Sequence, residues 1–191
     1  MIAVAQIRMA TPRDAEKLRG IYAPYVTDTA TTFECVVPTV AQFAGRIAGT
    51  LERYPYLVAL VDSEPVGYAY AGRFKPREAY DWAVEMSVYV AQDRRHLGVG
   101  RQLYARLEEI LLRQNIVNLN ACIAFPNPAS VAFHAGMGFQ QVAHFHRCAY
   151  KLGAWWDMIW MEKPIAEHAV PPRPVIPVGE LVSISDQIIR P

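Results

Sequence analysis

The stretch Arg94-Arg95-His96-Leu97-Gly98-Val99-Gly100 constrains this chain more than any other, because it joins two segments of different period. Upstream, Ala83 to Val90 alternates. Val84, Met86, Val88 and Val90 share one face and Glu85, Ser87 and Tyr89 the other, which is the pattern of a strand. Downstream, Val99, Leu103, Leu107, Ile110 and Leu111 form a helical apolar stripe, with Arg101, Gln102, Glu108 and Glu109 off it. A strand that turns on glycines into a helix aims unpaired N–H groups at one point. Glycines let an anion approach the backbone closely, and the two arginines add charge. The expected product is a phosphate site. The spacing Arg95-x-x-Gly98-x-Gly100 is neither the GxGxxG of a dinucleotide fold nor the Gly-Lys-Ser/Thr of a P-loop. A capped helix after a tight turn would read alike; the flanking strand and long helix favour the phosphate reading.

Outside this unit the same two periods recur. Ala5 to Met9 reads as a strand, and Thr11-Pro12-Arg13-Asp14 as a helix start followed by Ala15, Leu18, Tyr22 and Tyr25 at helical spacing. Thr39 and Gln42 form a capping box ahead of Phe43, Ile47 and Leu51. Tyr56–Val61 and Pro65–Tyr70 read as a hairpin, and Gly72–Asp81 as a polar loop. Val117–Ala124 is a strand and Asn127–Gly136 a short helix. Phe139–Tyr150 and Trp155–Glu162 are a closing pair of strands. Strands interrupted by helices and ending in a hairpin predict an α/β or α+β fold with a mixed sheet.

Composition bounds the partners. The chain has 191 residues and 52% hydrophobic residues, enough for one domain with a full core. A formal net charge of +1 argues against nucleic-acid binding, which needs a basic excess. No apolar run approaches the ~18–20 residues that span a bilayer, and the N-terminus lacks the pattern of a signal peptide. The three cysteines, Cys35, Cys122 and Cys148, are far apart and form no CxxC pair. The expectation is a cytoplasmic protein with free thiols and no membrane contact.

Downstream of the turn, Asn127, Ser130 and Gly138-Phe139 follow the Val117–Ala124 strand. Together with Arg95-x-x-Gly98-x-Gly100 they resemble the GNAT acetyltransferases. Thr31-Thr32-Phe33-Glu34, Tyr68-Ala69-Tyr70-Ala71, Val84 to Val90 and Lys151-Leu152-Gly153-Ala154-Trp155-Trp156-Asp157 resemble its phosphinothricin and methionine-sulfoximine acetyltransferase branch. The resemblance spans about Ile7 to Lys163. It implies a mixed, mostly antiparallel central sheet flanked by helices, acetyl-CoA as co-substrate, a small amino-acid-like amine as acceptor, and a homodimer. Residues 1–163 would form this domain.

The resemblance also distributes roles. His96, Leu97, Gly98, Val99, Gly100 and Arg101, with Arg95, would receive the pyrophosphate. Val88 and Val90 would bond the pantetheine through their backbones, Val88 also serving the oxyanion, and Asn127 with Ser130 would hold the arm. Glu85 is the candidate general base by the residues themselves as well: it stands on the polar face of an otherwise apolar strand, where burial raises a carboxyl pKa. Glu85 pairing only with a core arginine or tyrosine is the structural alternative. The family's usual acid, a tyrosine seven positions after the asparagine, is here His134. His134 is either that acid or a packing and capping residue. Gly72-Arg73-Phe74-Lys75-Pro76-Arg77 places cations before the Glu85 strand. Lys75 and Arg77 are candidates to hold an acceptor carboxylate or phosphinate, and Phe33, Ser87 and Tyr80 to line its pocket; a solvated hairpin tip, and ordinary core packing of Phe33 and Tyr80, are the structural alternatives.

Two other classes remain open. A non-catalytic acyl-CoA-binding module would keep the turn, but the retained Glu85 favours an enzyme. A protein acetyltransferase would favour an open groove over a lidded pocket. His144, His146 and Cys148 alternate on one strand face, yet no fourth ligand has matching spacing, so no metal is expected. The segment Pro164–Pro191 is a proline-rich arm. Its Val170, Val175, Ile176, Val178, Leu181, Val182, Ile184, Ile188 and Ile189 predict an extended arm lying on its own domain or on a neighbouring subunit.

Overall fold

The computed structural model describes residues 5–184. The ends of the chain, including Ile188 and Ile189 of the arm, lie outside the described residues. The strands are β1 (Gln6–Met9), β2 (Tyr56–Val61), β3 (Glu64–Arg73), β4 (Ala83–Val90), β5 (Asn118–Phe125), β6 (Gln140–Lys151) and β7 (Ala154–Pro164). The helices are α1 (Ala15–Thr27), α2 (Val40–Leu51), α3 (Val99–Arg113), α4 (Pro128–Gly136) and α5 (Val178–Ile184). The strands form one sheet in the order β1-β2-β3-β4-β5-β7-β6. Every pairing is antiparallel except β4 with β5, which is parallel.

The two faces of β2 and β3 carry different residues, and that difference builds two cores. Leu57, Ala59, Ala69 and Ala71 face α3, whose Leu103, Leu107 and Leu111 are fully buried against them. The alanines leave room for the helix to approach. On the other face Tyr56, Val58 and Tyr68 meet Leu18, Tyr22, Phe43 and Ile47 of α1 and α2. There Tyr56, Tyr68 and Tyr70 stack with ring centroids 4.9–6.4 Å apart. Burying each α3 leucine contributes roughly 1.5–3 kcal/mol. Thr39 caps α2 reciprocally with Gln42, as its sequence spacing predicts.

Two features differ from the sequence expectation by more than a residue or two at an element's end. Strand β3 continues to Arg73, because its pairing with β4 runs on to Arg73 opposite Val84. The polar composition from Gly72 marks an exposed strand end, and only the residues after it form the loop. The arm, in turn, is not extended throughout. After Pro177 it turns into α5, and Val178 and Leu181 are buried. Its described part lies along its own domain at the C-terminal end of α3. There the Asn115 and Gln114 side-chain amides donate to the carbonyls of Pro174 and Ile176 at 2.8 and 2.7 Å, and the Trp82 indole donates to Arg173 at 2.6 Å. Among the described residues no helix is long and apolar enough to cross a membrane.

Candidate active site

The site begins where two strands part. β4 and β5 pair only at Ala83–Asn118, Val84–Leu119 and Glu85–Asn120. Beyond Glu85 they diverge, β4 running to Val90 and β5 to Phe125. A cleft of ≈ 490 Å³ fills this wedge. Its walls include Met86, Ser87, Val88 and Val90 from β4, Cys122 and Ile123 from β5, and Asn127, Ser130, Phe133 and His134 from the start of α4 and beyond.

The floor is the turn into α3. Gly98 caps the helix in the left-handed region at φ 79°, and His96 has φ 64°. A Cβ at Gly98 would strain this cap by ~1–2 kcal/mol. The turn leaves the first-turn N–H groups of a helix running from Val99 to Arg113 open toward the cleft. Arg94, Arg95, His96, Gly98, Val99, Gly100 and Arg101 all line it. Leu97 does not; its side chain packs against the core under α3. The Arg95 guanidinium lies over the Tyr25 ring at 5.1 Å, and Arg101 donates to the Gly136 carbonyl at 3.3 Å.

Asn127 caps α4, its carboxamide oxygen accepting the Ser130 N–H at 3.2 Å. The NH2 group of the same side chain is a donor at the cleft wall. Tyr25 was missed by sequence reasoning as a site residue. Its helical spacing marked it as core, but its hydroxyl donates to the Val90 carbonyl at 2.5 Å and accepts the Val90 N–H at 3.3 Å. Val88 and Val90 both line the cleft, but the Val90 peptide groups are engaged by Tyr25.

His134 is buried. Its Nδ1 lies 2.8 Å from the Ser130 carbonyl and its Nε2 3.0 Å from the Tyr104 hydroxyl. A carbonyl only accepts, so Nδ1 carries the ring proton and Nε2 accepts from Tyr104. Burial lowers the imidazole pKa against the raising effect of the Ser130 bond, which keeps the ring neutral. Tyr104, a second residue missed from sequence, is fully buried and lies within 3.3 Å of the Met86 carbonyl. No local pattern distinguishes it from its neighbour Leu103 on the α3 stripe.

Glu85 sits at the apex of the wedge, opposite Gly72 on β3 and Asn120 on β5. Burial raises its carboxyl pKa, and the charge of Lys75 opposes that shift. Lys75 is therefore near enough for its charge to act on Glu85. Its ammonium lies 5.0 Å from the Phe74 ring centroid and 5.5 Å from that of Trp160. Arg77 is exposed at the end of the same loop, and Tyr80 packs on Phe74 with centroids 6.0 Å apart. Ser87 shares the Glu85 face and hydrogen-bonds Tyr70.

Phe33 is half-buried on the loop after α1. That loop is pinned by the buried Lys151, whose ammonium donates to the Thr32 carbonyl at 2.6 Å. Cys122 lines the cleft, but burial pushes its thiol up to about 12, so it stays protonated. Phe33, Lys75, Arg77 and Glu85 lie outside the cleft lining proper. Glu85 and Lys75 share one electrostatic neighbourhood beside it.

The profile described as an acetyltransferase (GNAT) domain matches residues 7–160. The phosphinothricin N-acetyltransferase of Streptomyces viridochromogenes is 34% identical over 92% of this chain and 96% of its own length. The L-methionine sulfoximine/L-methionine sulfone acetyltransferase of Salmonella typhimurium is 32% identical over 86% of this chain and 97% of its own. A crystal structure of a phosphinothricin acetyltransferase from Sinorhizobium meliloti in complex with AcCoA superposes with a TM-score of 0.84 at 30% identity. It covers 92% of this chain and 94% of that one.

Proposed function

The chain belongs to the GNAT acetyltransferase family, and from that premise we propose that it acetylates the amino group of a small amino-acid-like acceptor of the phosphinothricin or methionine-sulfoximine type, with acetyl-CoA as donor. The observation that carries this reading is the wedge. It is a cleft between parting strands, floored by a left-handed glycine at a helix N-terminus, with a half-buried carboxylate beside its apex. Relatives of nearly equal length carry acetyltransferase names for those acceptors.

In this reading the pyrophosphate of acetyl-CoA meets the backbone from His96 to Arg101, with Arg95 beside it. The pantetheine runs along Val88 and past Asn127 and Ser130. Reaching Val90 requires the Tyr25 hydroxyl to yield its place. Glu85 takes a proton from the acceptor ammonium, directly or through a water. The freed amine attacks the thioester carbonyl; a C–N bond forms, the C–S bond breaks, and the thiolate leaves. The Val88 N–H meets the charge developing on the carbonyl oxygen. Attack is direct, since the cleft's own thiol, Cys122, is held protonated.

His134 takes the leaving-group side. As a neutral ring without a proton on Nε2 it is a poor direct acid, and its part is to orient the Tyr104 hydroxyl. A thiol with pKa ~8.5 departs without strong acid help. Lys75 and Arg77 hold the anionic end of the acceptor, Phe33 and Ser87 line its pocket, and no metal takes part in the transfer. We further propose a cytoplasmic homodimer, with residues 1–163 as the catalytic unit and the arm fastened to its own subunit. The exposed Tyr150, Leu152 and Trp155 at the β6–β7 turn offer apolar surface for association. Thiol release from acetyl-CoA with a panel of amines, phosphinothricin and methionine sulfoximine among them, tests the activity. No release above the acceptor-free rate with any of them would reject it. Sizing in solution tests the dimer, and a monomer would reject that part alone.

A further inference from the structure

The β6 edge of the sheet brings together three metal-ligating groups. His144 and His146 alternate on β6, and the neighbouring strand β7 places Asp157 against both. The His144 Nε2 lies 2.8 Å from Asp157 Oδ2, and the His146 Nδ1 lies 3.1 Å from the same oxygen. The three ligand atoms are all within 4.8 Å of one another.

The sequence pattern His144, His146, Cys148 pointed to a different set. The alternation breaks after His146, where the β6–β7 register shifts between Phe145 and Ala149 and Arg147 takes φ 46°. That bulge turns Cys148 away, its thiol facing the Trp156 carbonyl at 3.8 Å. It also aims the Arg147 N–H at Asp157 Oδ1 at 2.7 Å. One carboxylate oxygen is thus anchored by the backbone while the other meets both imidazoles. His144 is held in turn by the Phe125 ring, with centroids 5.0 Å apart.

We propose that His144 Nε2, His146 Nδ1 and Asp157 Oδ2 form a binding site for a divalent transition cation of the zinc class. Two imidazoles and one carboxylate are a borderline N/O donor set that suits zinc and disfavours magnesium or calcium. Each neutral ring turns a lone pair to the ion by carrying its one N–H on the other nitrogen. With zinc bonds of ~2.0–2.2 Å, neighbouring ligands in a tetrahedron stand roughly 3.4 Å apart. The side chain of His146 is 75% exposed, and its ring lies against that of His144 with centroids 4.3 Å apart. The fourth position opens to solvent. The ion clips the edge strand β6 to β7 across its bulge, so its expected effect is on stability and not on acetyl transfer.

The test uses the full-length protein, freed of metal and titrated with Zn2+ by calorimetry and with Co2+ by absorption. The expected result is one tight equivalent per chain, a cobalt spectrum of low coordination number, and a thermal midpoint that rises with added zinc. His146→Ala removes an exposed ligand without disturbing the core. It should weaken zinc binding beyond the roughly 10–100-fold that loss of an outer-sphere partner costs, and it should abolish the thermal shift. His144→Ala should act likewise. No binding equivalent in the wild type, or an equivalent whose affinity is unchanged in both variants, overturns the site.

Discussion

The N-terminus of α3 and the acceptor side of the wedge reach their chemistry by opposite routes. At α3 the working parts are backbone: a left-handed Gly98 and the N–H groups that follow it. They are contiguous in sequence, and side chains add only charge. Around Glu85 the working parts are side chains from separate segments. Lys75 comes from the loop after β3, Trp160 from β7, and the Thr32 loop is held by Lys151 at the end of β6. A site made of peptide groups tolerates most changes except those to its φ angles. A site made of converging side chains fails one residue at a time, and each failure has its own kinetic signature.

The largest expected effect falls on the side-chain half. Glu85→Gln should lower turnover by ~10²–10⁴-fold, the usual range for a general base, while acetyl-CoA affinity stays the same. Burial raises the Glu85 pKa, so the acid limb of kcat/KM should lie above the ordinary glutamate range. Activity needs the carboxylate and is lost as pH falls through that raised value. Near-normal turnover of the variant at neutral pH would place the base elsewhere.

Next comes the backbone half. In Gly98→Glu the left-handed cap costs ~1–2 kcal/mol, and a carboxylate is added beside the phosphates. Acetyl-CoA binding should weaken by at least ~10-fold, since each 1.4 kcal/mol is a decade. Equal affinity for wild type and variant, measured by calorimetry, would remove the premise that this turn receives the pyrophosphate. A smaller effect is expected at Lys75→Met. Losing one charged hydrogen bond, ~1.5–3 kcal/mol when formed, should raise the acceptor KM about 10-fold or more by the same conversion. The KM for acetyl-CoA should not move. If both constants rise together, the loop is shaping the whole cleft and the division between halves fails.

The unequal legibility of the two halves has the same physical source. Period and turn chemistry are local, so β4, the glycine turn and α3 were readable residue by residue, and so was the Asn127 cap. The packing of Leu103, Leu107 and Leu111 followed from their spacing alone. Tyr25, Tyr104 and Lys151 were not readable as site residues, because each looks like core or surface until the topology sets its partner. Tyr25 on α1 meets Val90 across 65 residues of chain, and Lys151 meets Thr32 across 119. Asp157 was hidden for the same reason: only the β6–β7 bulge brings its carboxylate beside His144 and His146. Leu97 divides its roles: its side chain packs against the core, so only its backbone is left to face the cleft.

The smallest effect is the one that tests whether the apex of the wedge is held at a cost to the fold. A carboxyl whose pKa is raised by burial binds protons more tightly folded than unfolded. The stability it contributes is therefore fully present below its unfolded value and is lost as pH rises through the folded value. At neutral pH the folded wild type carries a partly desolvated charge that Lys75 offsets only in part, since the net shift is still upward. Glutamine is nearly the same shape and never charges. Glu85→Gln should thus melt above wild type at neutral pH, and the difference should shrink toward zero as pH falls to where the wild-type carboxyl is protonated. Calorimetric melting of both proteins across that range decides it. A variant less stable than wild type at neutral pH would mean that the carboxylate is a net stabiliser there, held by partners stronger than its burial. Glu85 would then join the residues that build the wedge, and the contrast with the backbone turn at Gly98 would lose its side-chain pole.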